Sequence, residues 1–299
     1  MGKRSRSRRD VIDDIRRRAW RAYADGRRRL ARTGSAAPAI EVFAAADRRE
    51  PSAWTDTLAD QHEAYRRAIA PATGSVAAVC VSARPHLLAD LLGSLRRQVV
   101  EQLDVVLVTN HEGYDAIDLD GATADLGAER VIIIRRPSAQ TLGACLNDAM
   151  AATDARFVAK FDDDDHYGPH HLADSLRAHS YAGAGVVGKH TYYAHLVDAD
   201  RTVLRFPAHE FAYSSTLAGG SLVIDRAKTA DLQFPDISLG EDRAFLAACH
   251  RRGLSTFSAD RFNFIQTRAH DNTWQVPDER FLQSTADVGP GLRLDVTDI

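Results

Sequence analysis

The densest chemistry in the sequence is Asp162-Asp163-Asp164-Asp165, four carboxylates in a row after the apolar run Phe157-Val158-Ala159-Lys160-Phe161. Adjacent anions repel one another, and crowding raises their pKa values unless a positive charge neutralises them. In a cleft, a hard divalent cation with a preference for oxygen ligands supplies that charge. Alternate side chains of an extended segment share a side, so the spacing predicts that Asp162 and Asp164 face one ion together. The competing reading is an acidic run on a solvated loop. Neighbouring sequence decides between them.

Such carboxylates need strand ends to present them. Residues Val76 to Val81, Leu103 to Val108, Val131 to Ile134 and Phe157 to Phe161 are short apolar runs that read as buried strands. Between them, His86 to Gln98 carries Leu87, Leu88, Leu91, Leu92 and Leu95 at helical spacing, and Leu142 to Ala152 reads as a second helix. The alternation predicts a parallel sheet with helices on its faces. Ligands of such sheets bind beyond the carboxyl ends of the strands, near a topological switch point. The Asp run, Ser82 to Arg84, and Asn110 all fall at such ends, so three loops are expected to converge on one crevice. Further on come a helix from His170 to His179, strands at Val186 to Val187 and Tyr192 to Val197, and the glycine-led turn Ala218-Gly219-Gly220 running into another strand. Gly240-Glu241-Asp242 opens a helix through Arg252, and Arg261 to Ile265 follows. From Gln275 onward the sequence is polar and aperiodic and reads as a tail.

The formal net charge of -3 over 299 residues hides an asymmetry. Met1 to Arg32 holds thirteen Lys and Arg against four Asp, leaving 25 basic and 37 acidic side chains in the rest. Val11, Ile15, Ala19 and Tyr23 lie at helical spacing in this arm, with Trp20 beside them, which predicts a basic amphipathic helix suited to an anionic membrane surface. A solvated tail fits the same residues. No stretch approaches the roughly 18 apolar residues of a membrane span. The arm also lacks the apolar centre of a signal peptide, so a cytoplasmic location, peripheral to the membrane's inner face, is expected. Cys80, Cys145 and Cys249 are far apart and form neither a zinc motif nor a disulfide framework.

In order and in residue type these features resemble the family 2 glycosyltransferases. The resemblance rests on Arg84-Pro85 before a Leu-rich helix ending in Gln98, on Gly143 with Asn147, and on Asp162-Asp163-Asp164 as a DXD motif after a strand. It continues with Gly219-Gly220, with Gly240-Glu241-Asp242, and with His270 followed by Asn272-Thr273-Trp274. It covers about residues 75 to 275. It implies the GT-A fold, a Rossmann-like α/β architecture whose mostly parallel sheet is flanked by helices. The expected division is a basic helical N-terminal extension over 1–70, the catalytic domain over 75–275, and a C-terminal tail over 276–299.

The resemblance also implies inverting transfer of a sugar from a nucleotide-sugar donor, a UDP-sugar first, to a hydroxyl of a glycan, lipid-linked or small-molecule acceptor. Asp162, Asp164, Asp165 and His270 would hold Mn²⁺ or Mg²⁺, which stabilises the diphosphate leaving group. Asp242 would be the base that takes the acceptor's proton, with Glu241 as the other candidate. Ser82, Arg84, Asn110, Asn147, Lys160 and Asp163 would contact the nucleotide sugar. Gly219, Gly220 and Trp274 would line the sugar and acceptor side. Two departures from the family pattern bear on the nucleotide: Ala83 stands where an Asn usually precedes Arg-Pro, and Thr109-Asn110-His111-Glu112 replaces an Asp-rich turn. A nucleotidyltransferase would need a glycine-rich loop after the first strand, and Ser82-Ala83-Arg84-Pro85 has no glycine. Nucleic-acid binding would be confined to the arm, because the body is acidic.

Overall fold

The computed structural model describes residues 56–269, 272 and 281–299. The basic arm, His270 and Trp274 lie outside the described residues. In chain order the main elements are α1 (Asp56–Ala68), β1 (Val76–Ser82), α2 (Leu88–Arg96), β2 (Leu103–Thr109), α3 (Leu119–Thr123), β3 (Arg130–Arg135), α4 (Leu142–Ala151) and β4 (Phe157–Asp162). Then come β5 (His166–Tyr167), α5 (His171–Ala182), β6 (Val186–Gly188), β7 (Tyr192–Leu196), β8 (Arg201–Arg205), β9 (Ala212–Tyr213), β10 (Val223–Asp225) and α6 (Arg226–Thr229). The last are α7 (Glu241–Arg251), β11 (Thr256–Ser258), β12 (Phe264–Arg268), β13 (Thr285–Pro290) and α8 (Leu294–Thr297).

Two sheets form. The larger runs β3-β2-β1-β4-β10-β6-β11-β9, and the smaller runs β13-β8-β7-β12-β5. β1 pairs in parallel with β2 on one side and β4 on the other, and β2 with β3. Strand order therefore reverses between β1 and β4, which makes their carboxyl ends a switch point. β10 enters antiparallel beside β4.

Period-two alternation assigns each strand residue to a face. Phe157, Ala159 and Phe161 of β4 join Val76, Ala78 and Cys80 of β1 under Leu88, Leu91, Leu92 and Leu95 of α2. Burying each of those leucines is worth about 2 kcal/mol. Val158 points the other way, into a cluster with Cys145, Leu146 and Ala149 of α4 and Phe245, Leu246 and Cys249 of α7. All three cysteines are buried and free.

The C-terminal segment departs from the expected tail. β13 pairs antiparallel with β8 and closes the smaller sheet. Its register shifts between Asp287 and Gly289, so a bulge interrupts the alternation, and of its residues only Gly289 is buried. That is why no period shows in the sequence. At the other end, α1 is docked on the body: Tyr65 and Ile69 are buried with Ala178 and Ala182 of α5 and Phe257 of β11. No helix among the described residues is long and apolar enough to cross a membrane.

Candidate active site

β4 ends at Asp162, residues 163–165 turn, and β5 starts at His166. The carboxylates therefore do not alternate along an extended strand, and Asp165, another of the expected ligands, comes round toward Asp162. Asp165 Oδ2 and Asp162 Oδ2 stand 2.5 and 2.9 Å from the point a Gly220 Cβ would occupy. The turn brings the first and last members of the run to one side, at the junction of the two sheets. Asp163 points back into the protein. It accepts hydrogen bonds from Ser82 Oγ at 2.5 Å and from the Arg84 guanidinium. Asp164 shares Arg84 at 2.9 Å and accepts from Asn272 Nδ2 at 2.6 Å. Asp165 accepts from the Thr267 N–H at 2.9 Å, which ties the turn to β12.

The balance of charge around this turn is short of cations. Burial first, and then the charge of Asp162, raise the Asp164 carboxyl above its usual range despite Arg84. Burial and then Asp164 and Asp162 push Asp165 well above it. A donor set of hard carboxylate oxygens held unprotonated only at such a cost fits a divalent cation. Asp162, Asp165 and, beside them, Asp164 are the residues that would hold it. His270, the other expected ligand, lies outside the described residues.

Lys160 lies on the same side of β4 as Asp162. It is buried and does not point to solvent. Its ammonium donates to Asp162 Oδ1 and sits 3.9 Å from Glu241 Oε1. Burial would lower its pKa, but Asp162, Glu241 and Asp242 outweigh that and hold it charged.

Gly219-Gly220 forms a short turn before β10 and lies between the Asp run and the start of α7. A Cβ at Gly219 would stand 2.2 Å from Asp242 Oδ2. The two glycines are needed for close approach to carboxylates on both sides. The sequence did not point to Tyr167. Its hydroxyl accepts from the Asp162 N–H at 2.7 Å and donates to the Gly220 carbonyl at 2.8 Å, so it ties the acidic turn to the glycine turn. Read along the chain, it is only an aromatic after an acidic run.

Gly240, with φ of +82°, ends the preceding loop and starts α7. Glu241 turns inward toward Lys160, and Asp242 stays partly exposed on the Gly219 side. Burial, opposed by Lys160 and helped by Asp242, pushes the Glu241 carboxyl up to about 7. Its folded value lies above the ordinary 4.5, so the folded chain binds the extra proton between those values. Its cost to stability is therefore absent below about pH 4.5 and grows as pH rises through 7. Glu241→Gln is expected to match wild type in urea unfolding at pH 5 and to exceed it by on the order of 1–3 kcal/mol at pH 8. Equal stability at both values would contradict this.

At the end of β1, Ser82 Oγ also meets the Tyr114 hydroxyl at 2.5 Å. Asn110 donates its N–H to the Ser82 carbonyl at 3.1 Å. Its side-chain Oδ1 and Arg84 Nη1 are buried without hydrogen-bond partners. The pair leaves one acceptor and one donor at the strand ends. Asn147 does not join them. Its amide donates to the Phe234 carbonyl at 2.8 Å and accepts from the Phe234 N–H at 2.9 Å. It clamps the loop that leads to Gly240, and the Gly143 N–H reinforces it on Ile237 O at 3.0 Å. Trp274, expected on the acceptor side, lies outside the described residues.

Among the described residues one group of three His, Cys, Asp or Glu side chains, His62, Asp174 and Asp260, places its ligand atoms within 4.8 Å of one another. Arg66 already pairs with Asp174 at 2.7 Å and Lys189 with Asp260 at 3.1 Å. With both anions neutralised, a divalent ion would leave uncompensated buried charge. The cluster fastens α1 to α5 and to the loop after β11.

Residues 76–225 match the sequence profile described as Glycosyl transferase family 2. No curated protein sequence matches the chain. Among solved structures, residues 1–349 of Staphylococcus aureus TarS in complex with UDP-GlcNAc match with a TM-score of 0.53 at 16% identity, covering 70% of this chain and 64% of that one. The chain thus spans just under two thirds of that TarS structure. The mannosyltransferase PcManGT from Pyrobaculum calidifontis, in complex with GDP-Man and Mn²⁺, matches with a TM-score of 0.50 at 13% identity, covering 82% and 68%. At these identities the likeness is one of fold.

Proposed function

The chain belongs to glycosyl transferase family 2 and has the GT-A fold, and from that premise we propose that it transfers a sugar, with inversion, from a nucleotide-sugar donor to a hydroxyl group. The observation that carries this reading is the convergence of the acidic turn 162–165, Gly219-Gly220 and Asp242 at the β1/β4 switch point. The solved neighbours support the donor class, since TarS holds UDP-GlcNAc and PcManGT holds GDP-Man. A UDP-sugar is the first donor to test: the unpartnered Asn110 Oδ1 and Arg84 Nη1 suit an imide edge that offers an N–H beside a carbonyl.

A divalent cation, Mn²⁺ or Mg²⁺, held by Asp162 and Asp165 would neutralise the charge that develops on the diphosphate. Arg84, fixed by Asp163 and Asp164, adds a guanidinium on the nucleotide side. Asp242 Oδ2, across Gly219 from the acidic turn, faces the side from which an acceptor enters. The acceptor oxygen forms the new bond to the anomeric carbon while the bond to the diphosphate oxygen breaks. The hydroxyl proton passes to Asp242, and the nucleoside diphosphate leaves. Attack from the face opposite the leaving group inverts the anomeric centre. The acceptor is a glycan, a lipid-linked sugar or a small molecule, and the basic arm would bring the enzyme to an anionic membrane face.

The test is nucleoside diphosphate release from a panel of UDP-, GDP-, dTDP- and CDP-sugars with Mn²⁺, with and without mixed glycan and lipid-linked acceptors. Release from one nucleotide class, accelerated by acceptor, is expected. No release from any donor would overturn the reading.

A further inference from the structure

Lys160 is the buried cation that joins two carboxylates of the site. It is 4% exposed, on the face of β4 that α7 covers, and its ammonium lies between two carboxylates from different elements. One is Asp162, at the end of its own strand. The other is Glu241, the first residue of the helix that carries Asp242. An unpaired lysine there would be costly, and so would either carboxylate without the lysine. The three charges are therefore held as a set. Glu241 and Asp242 are adjacent, yet only Glu241 turns toward the ammonium, and that orientation leaves Asp242 beside Gly219.

Resting on the transferase reading above, we propose that Lys160 is a positioning residue: a buried cation that locks the cation-holding carboxylate Asp162 to the first turn of α7 and so fixes Asp242 as the base. The lysine touches no substrate. Its work is to hold two half-sites, one on β4 and one on α7, at a constant spacing, and to occupy Glu241 so that the neighbouring aspartate faces the acceptor.

Three variants test this: Lys160→Met, Lys160→Arg and the charge-balanced double variant Lys160→Met/Glu241→Gln. Hydrogen exchange is read first, because it needs no donor. In Lys160→Met the first-turn amides of α7 are expected to exchange at least about tenfold faster, while those of β1 and β2 stay as in wild type. In Lys160→Arg they stay protected, and in the double variant, which lacks both partners of the lock, they exchange about as fast as in Lys160→Met. Turnover is read second. Lys160→Met is expected to lose at least about tenfold in kcat, and removal of Glu241 as well to add little further loss, which is a non-additive result expected of coupled charges. Uniformly faster exchange in Lys160→Met would reduce the lysine to a core stabiliser and overturn the proposal. So would unchanged exchange at α7, or additive losses in the double variant. If Lys160→Met does not fold, the double variant decides by the same two readouts. Absence of transfer by wild type would count against the transferase reading and leave the exchange result to judge the lysine.

Discussion

Replacing Asp242 with Asn is expected to lower kcat by about 10²–10⁴-fold, the usual worth of a positioned general base, with donor KM nearly unchanged. The expectation follows from the division of labour at the start of α7. Glu241 is buried and committed to Lys160. Asp242 is partly exposed, and its Oδ2 faces Gly219. Its Oδ1 accepts the Arg243 N–H at 2.6 Å, which holds the carboxylate at the helix start. An amide fills the same space and keeps an oxygen for that bond, but it cannot take a proton. Glu241→Gln is the control, with an expected loss below about tenfold. Steady-state kinetics on both variants, with the donor found by the release assay, decide between the two carboxylates. The reverse order of losses would assign the base to Glu241.

The second large effect is expected from a single methyl group. In Gly220→Ala the new Cβ would stand 2.5 Å from Asp165 Oδ2, 2.9 Å from Asp162 Oδ2 and 3.1 Å from the Tyr167 hydroxyl. All three groups are tied elsewhere: Asp165 to Thr267, Asp162 to Lys160, and Tyr167 to the backbone of Asp162 and Gly220. None can give way without breaking a bond inside the site. Displacements near 1 Å at reacting centres cost on the order of 10²-fold, so kcat/KM should fall by about that factor. Overpacking should cost only about 1–3 kcal/mol of stability. Folded protein with kcat/KM close to wild type would show that the glycine turn is not part of the site.

These two positions also show what the sequence reveals and where it falls short. The family resemblance put Gly219-Gly220 on the acceptor side and Glu241-Asp242 at the base, and the fold would set a Gly219 Cβ 2.2 Å from Asp242 Oδ2. The strands of the parallel half were legible, since runs such as Val76 to Val81 are apolar on both faces, as doubly covered strands must be. The backbone course of the acidic run was not legible. Alternation assumes an extended backbone, and β4 ends at Asp162, so the turn brings Asp165 round to meet it. Nor could Lys160 be read as buried, since its counter-charge Glu241 lies 81 positions away in sequence. The strand β13 was missed because a bulge breaks its period and only Gly289 of it is buried.

The central claim is that the turn 162–165 is where the nucleotide-sugar's diphosphate binds with a divalent cation. Its most direct test is calorimetric titration of UDP and GDP, with and without Mn²⁺, into wild type and into Asp162→Asn/Asp165→Asn. Mn²⁺-dependent binding of one nucleotide to wild type is expected, weakened at least about 100-fold in the double variant, a loss of roughly 2.7 kcal/mol. Binding of equal strength in both proteins, or binding indifferent to Mn²⁺, would contradict it.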